Sequence, residues 1–217
     1  MSATVTRMTQ DQRSAATKDK LARAAFEVIR DVGYAGFRTA AVAKAAGVSQ
    51  GGQLHHFPTK DDLALAAVEY GNAIARQRTE ANLARFGADD DPIEAVIADS
   101  MDYYFSGAFD VAIDVVKAGS QNVELRRDIA DSSRAFRDYA ERGWLEKLVE
   151  RGWSVSDAHD VIDLSTSLVR GFAIRKWIHR DSGQFKRLLE RWVEIAYAAF
   201  PAPNRRRPKT NSKASPP

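Results

Sequence analysis

The chain has 217 residues, 44% hydrophobic and 9% aromatic, which suits a globular protein with one sizeable core or two small ones. It contains no cysteine, which excludes disulfides, thiol catalysis and Cys-ligated zinc, and no apolar run near the roughly 18 residues that a membrane span needs. The net charge of +3 conceals a division: the first 60 residues carry nine basic against four acidic side chains, 201–217 carry five basic and no acidic ones, and the stretch between is acidic, an arrangement that suits a protein presenting one end to nucleic acid.

Residues 1–16 are polar and without periodicity, and are expected to form a flexible arm. Thr17 is placed to cap a first helix whose apolar stripe is Leu21, Ala25, Val28, Ile29 and Val32, ended by Gly33 and Gly36. Thr39 to Ala46 is small or apolar except at Lys44 and predicts a short helix. Gly47 is suited to the left-handed conformation that closes it, and Ser49 to capping a new helix from Gln50 to about Phe57. Val48 is the one apolar residue of the turn, so the unit reads helix, tight turn, helix, with 17–60 as the domain.

The second helix opens with Gln50, Gly51, Gly52 and Gln53, which carry almost no apolar bulk. Small side chains allow close approach to another surface, the two glutamines can pair with base edges, and the helix dipole favours a phosphate. His55 and His56 follow, Pro58 ends the helix, and Lys60 starts the next with a positive charge after the potential cap Thr59. Adjacent helical positions point about 100° apart, and no acid stands nearby at ligand spacing, so His55 and His56 fit phosphate or base contact better than a metal site.

From Lys60 to Phe86 the sequence reads as one long helix, the lever between head and body, with Asp61 and Asp62 favourable in its first turn. Helices are expected from Pro92 through Tyr103, Tyr104 and Phe105, from Phe109 to about Ser120, from Val123 to Arg151, from Ser156 through Trp177, and from Gly183 to Phe200. Together 61–200 form a helical ligand-binding and dimerisation body, and 201–217, Pro-rich and basic, reads as disordered. No segment alternates like a strand and no glycine-rich phosphate loop is present: the class is all-α, a three-helix helix-turn-helix head on a larger helical body.

Thr39, Val42-Ala43, Ala45-Ala46-Gly47-Val48-Ser49, Gly51, His56-Phe57 and Pro58-Thr59-Lys60, preceded by Gly33-Tyr34 and Gly36-Phe37, resemble the TetR family of transcriptional regulators over residues 17–70. The chain departs from the family where Gly52-Gln53-Leu54 replaces a small residue followed by Leu-Tyr. The Tyr that commonly touches a phosphate is absent, so phosphate contact falls to His55, His56, Lys60 and backbone amides, and Gln53 becomes a candidate reader. The resemblance implies a small-molecule pocket in the body and dimerisation through its last helices.

The expected DNA-binding residues are thus Thr39, Ser49, Gln50, Gly51, Gly52, Gln53, His55, His56 and Lys60. Tyr103, Tyr104, Phe109, Phe136, Tyr139 and Arg170 are candidates for the pocket, with core packing the competing reading; Arg170 and Arg175 would suit an acidic ligand. One short reading helix covers few base pairs, so a two-fold partner is expected, with Leu168, Phe172, Phe185, Leu188 and Trp192 at the interface. The function expected is a cytoplasmic homodimeric repressor, released by a small-molecule effector from a near-palindromic double-stranded operator, with no cofactor, metal site, membrane partner or catalytic residue. The rivals are a constitutive regulator without ligand and a small all-α enzyme or carrier, for which the sequence offers no nucleophile and base pair.

Overall fold

The computed structural model describes residues 9–118, 122–178 and 182–200, and every regular element among them is a helix, in line with the all-α class. In order these are α1 (Gln10–Gly36), α2 (Thr39–Ala46), α3 (Gln50–His56), α4 (Lys60–Arg85), α5 (Pro92–Tyr104), α6 (Gly107–Ala118), α7 (Val123–Glu150), α8 (Val155–Arg175) and α9 (Ser182–Ala199). None of the described helices is long and apolar enough to cross a membrane. The chain divides into two compact units, Met1–Arg78 with Tyr103–Asp138, and Thr79–Asp102 with Tyr139–Pro217.

In the first unit α1 begins earlier than its apolar stripe suggests. The Thr9 hydroxyl accepts from the Gln12 N–H at 3.2 Å while the Gln12 amide oxygen accepts from the Thr9 N–H at 2.9 Å, a reciprocal cap. Residues 10–16, expected in the arm, are therefore helical, and Thr17, expected as the cap, lies inside α1 with its hydroxyl donating to the Arg13 carbonyl. Residues 1–8 of the arm and the 201–217 tail lie outside the described residues.

Leu21, Ala25, Phe26 and Ile29 of α1 are buried together with Phe37 and with Val42 and Ala43 of α2. Gly33 takes φ 69°, a left-handed conformation that a side chain would strain, and it kinks the end of α1. The kink aims the Tyr34 N–H at Asp114 of α6, whose Oδ2 accepts at 2.5 Å. Because α1 packs on α2 with one side and on α6 with another, α6 and the adjoining parts of α4 and α7 cluster with the head. The division of the chain does not fall at Lys60.

The second unit is built around Ile93, Val96 and Ile97 of α5, Trp144 and Leu148 of α7, Val161, Ile162 and Val169 of α8 and Ala196 of α9. Its buried carboxylate, Asp99, accepts from the Thr79 hydroxyl at 3.0 Å, the Asn82 amide at 2.7 Å and the Trp144 indole N–H at 2.9 Å. Burial pushes its carboxyl up, and those three donors oppose the shift. α8 opens at Val155, one residue before the expected Ser156, and Ser154 caps it, its hydroxyl accepting from the Asp157 N–H at 3.0 Å.

Candidate nucleic-acid interface

The turn between α2 and α3 has the expected geometry. Gly47 sits at φ 65°, ψ 31°, and lets its own N–H and that of Val48 reach back to the carbonyls of Lys44 and Ala43. The Ser49 hydroxyl then accepts from the Gly52 N–H at 3.1 Å and starts α3. A methyl group on Gly52 would lie 3.1 Å from Val48 Cγ1 and 3.2 Å from the Ser49 hydroxyl oxygen, so a larger residue there would make the turn give by a few tenths of an ångström.

This cap fixes which way each side chain of α3 faces. Gln50, Gly51, Leu54 and His55 are exposed, and a side chain at Gly51 would meet nothing within 4 Å. Gln53 is 0% exposed: its amide N–H donates to the Phe57 carbonyl at 2.7 Å and its Oε1 is buried without a hydrogen-bond partner. The assignment of Gln53 as a reader is therefore corrected, because its amide is spent inside the head. Leu54, 48% exposed, occupies the outer face instead. Gln53 lies one turn before the C-cap Phe57, whose N–H donates back to the Gln53 carbonyl at 2.8 Å, and a glutamine at that place carries no apolar signal of an inner position.

Thr39 is half-buried at the first position of α2, beside exposed Arg38, whose guanidinium donates to the Ala35 and Phe37 carbonyls at 2.8 and 3.0 Å. The rings of His55 and His56 meet edge to face at 5.2 Å. Desolvation, then the neighbouring His55 and Lys18, lowers the His56 pKa. Lys60 differs from its expected role. Its ammonium donates to the Tyr34 carbonyl at 3.0 Å and lies 4.1 Å above the Tyr34 ring, and desolvation followed by Arg38 lowers its pKa. It acts first as a joint between α1 and α4, with its charge drawn inward.

A second joint was not foreseen. Asp61 accepts from the Tyr34 hydroxyl at 2.5 Å and from the Asn122 side-chain amide at 2.6 Å, and the Asn122 side-chain oxygen Oδ1 accepts from the Leu125 N–H at 3.1 Å at the start of α7. Together with Asp114 these groups tie the end of α1 to α4, α6 and α7, through residues up to 80 apart in sequence. No local pattern announces such a pairing.

Of the expected pocket residues, Tyr103, Tyr104, Phe109 and Phe136 form one buried aromatic cluster in the first unit, with centroid separations from 4.7 Å (Tyr103–Phe136) to 6.0 Å (Tyr103–Phe109). Burial, reinforced by Tyr104, pushes the Tyr103 phenol up to about 12. Tyr139 and Arg170 belong to the second unit, and Arg170 is exposed on α8, donating to the Ser167 hydroxyl at 3.1 Å. Arg170 is accordingly removed from the buried group. Arg175 donates to the Gln184 side chain at 2.8 Å.

The interface residues also need revision. Phe172 and Phe185 are buried against each other within one chain, stacked at 4.6 Å, so they form the seam between α8 and α9. The Trp192 indole donates to Ser165 at 2.8 Å, and Leu168, Leu188 and Trp192 stay half-buried. Apolar groups left outside include Leu164 (47% exposed) and Ile174 (44%) on α8 and Ile195 (48%) on α9, with Gly171 open between the first two and Val155 (57%) at the start of α8. Positions 164, 168, 171 and 174 follow helical spacing, as do 188, 192 and 195.

A family model described as bacterial regulatory proteins, tetR family, matches residues 21–67. The HTH-type transcriptional regulator CymR of Pseudomonas putida is 39% identical over 197 residues, 89% of this chain and 97% of CymR. A TetR-family transcriptional regulator from Mesorhizobium loti MAFF303099 has a similar solved structure, with TM-score 0.64, 20% identity and coverage of 87% of this chain and 98% of that one. A transcriptional regulator from Saccharomonospora viridis, solved in complex with choline, gives TM-score 0.63, 18% identity and coverage of 83% and 96%. At these identities the two structures establish a shared fold.

Proposed function

This chain belongs to the TetR family of bacterial regulatory proteins and is a DNA-binding transcriptional regulator, not an enzyme; from that premise we propose a cytoplasmic homodimeric repressor, released from a near-palindromic operator by a small molecule. The observation that carries the reading is the contact between α6 and α1. Phe109 of α6 belongs to the aromatic cluster, while α6 itself packs on α1 and holds the Tyr34 N–H through Asp114. A molecule inserted among Tyr103, Tyr104, Phe109 and Phe136 would displace α6, and the displacement would reach the reading helix through α1. The Saccharomonospora viridis regulator, with choline bound, supports a small-molecule site within the same fold.

Two heads must fit successive major grooves about 34 Å apart. A shift of several ångströms in their separation spoils one half-site while leaving each head folded. A ligand that prefers the shifted state by about 3 kcal/mol lowers operator affinity roughly 150-fold, and operator lowers ligand affinity by the same factor. The test is to select a duplex from random DNA with the wild-type protein and then screen small molecules for release. Tyr103→Phe, which removes only a hydroxyl, is expected to keep operator affinity near wild type while changing the concentration of ligand that gives release. Operator binding that no small molecule weakens would instead establish a constitutive regulator.

A further inference from the structure

We infer that Leu54 is a specificity-determining residue that reads the 5-methyl group of a thymine in the major groove. The inference rests on α3 being the helix that enters the groove. Leu54 lies one turn beyond Gln50 on the same outer face and is 48% exposed, although α3 has an interior in which an apolar side chain could be buried. That interior position holds Gln53, the reverse of what burial alone would select. The register cannot slip to exchange them. Ser49 caps α3 at one end, the Gln53 amide is bound to the Phe57 carbonyl at the other, and Gly52 fits closely against Val48 between.

A leucine on a face turned toward DNA has few acceptable neighbours. Set against a phosphate, it removes water from an anion and returns no hydrogen bond. Set against the edges of guanine, cytosine or adenine, it covers donors and acceptors without pairing them. The major-groove wall offers one apolar group, the thymine methyl. Gly51, whose missing side chain leaves open space beside Leu54, lets the helix come close enough for that contact.

The probe is a duplex selected by the wild-type protein, in which each thymine is replaced singly, at the symmetric positions of both half-sites, by deoxyuridine, which lacks only the methyl group. One thymine position is expected to lose about fourfold in affinity per half-site, the worth of one buried methyl-sized group. Leu54→Ala should bind the thymine and uracil duplexes equally at that position and keep the wild-type response at all others, and Leu54→Met should retain the discrimination. Unchanged thermal stability of Leu54→Ala shows that the half-exposed side chain is not structural. The inference is overturned if no thymine methyl matters, or if Leu54→Ala discriminates as the wild type does. Gln50→Ala separates the two levels. If it leaves sequence preference intact, α3 is not the reader. If it reduces preference while no methyl depends on Leu54, only the present inference fails.

Discussion

Two exposed surfaces among the described residues are made of opposite materials. The outer face of α3 presents Gln50, Gly51, Leu54 and His55, mostly polar or small, whereas α8 and α9 leave Leu164, Ile174 and Ile195 outside, each more than two-fifths exposed. A polar face costs nothing in water and gains only from a partner with hydrogen bonds to exchange. An apolar stripe along two adjacent helices is a standing cost that a second copy of the same stripe removes. The first surface is suited to reversible reading of DNA and the second to lasting association.

The largest effect is expected where the apolar surface is made polar. Leu164→Glu with Ile174→Glu places two charges on the open side of α8 without touching the Phe172–Phe185 seam. The variant should sediment as a folded monomer and bind operator at least about 100-fold more weakly, since a lone head reads one half-site. A variant that stays dimeric would move the interface elsewhere.

The converse change makes the polar surface mute. Gln50→Ala should cost about 1–3 kcal/mol on the selected duplex and almost nothing on random DNA, because an amide pairs with base edges while random binding rests on phosphates. Competition binding against both DNAs reads the difference, and equal losses would deny α3 its role.

How much of this was legible beforehand differs between the two surfaces for a physical reason. The α2–α3 unit is local: Gly47, Ser49 and Pro58 act on neighbours a few residues away, so its turn, cap and end could be read along the chain. The inner position of Gln53 was hidden by its chemistry, since a glutamine in a short helix suggests a surface. The start of α1 at Gln10 was missed because Thr9 and Gln12 cap a turn that buries little. The stacking of Phe172 on Phe185 could not be read, because periodicity shows that a face is apolar but not whether the same chain or another covers it. Contacts such as Tyr34 to Asp114 and Asp61 to Asn122 join distant residues and leave no local trace.

Smaller effects test the supports behind the reading surface. Asp114→Ala leaves the Tyr34 N–H without its carboxylate acceptor and should cost about 2 kcal/mol, visible as a lower urea midpoint. Gln53→Leu should act in the other direction. It removes a buried oxygen that has no partner, at the expense of one hydrogen bond to Phe57, and is expected to stabilise the head by about 1 kcal/mol while leaving operator affinity unchanged. A loss of sequence preference in Gln53→Leu would restore Gln53 as a reader and dissolve the contrast between inner and outer faces.

The smallest effect concerns His56, where α3 meets its own support. Its pKa is lowered by desolvation and by the nearby His55 and Lys18, so the folded head favours the neutral ring. The sign follows from linkage. Above the unfolded value, near 6.5, both states are neutral and His56 contributes nothing to the pH dependence. As the pH falls from there through the lowered folded value, the unfolded chain takes up its proton first, and stability declines. DNA reverses the direction, because a phosphate beside the ring favours the charged form and gives binding a share of that protonation. Between pH 7 and pH 5.5 the free protein should therefore lose a little stability while its affinity for DNA of any sequence rises. His56→Gln should flatten the part of both trends that belongs to this ring. Should the affinity trend persist undiminished in His56→Gln, the proton is taken up elsewhere, and His56 is part of the head's packing and not of its reading face.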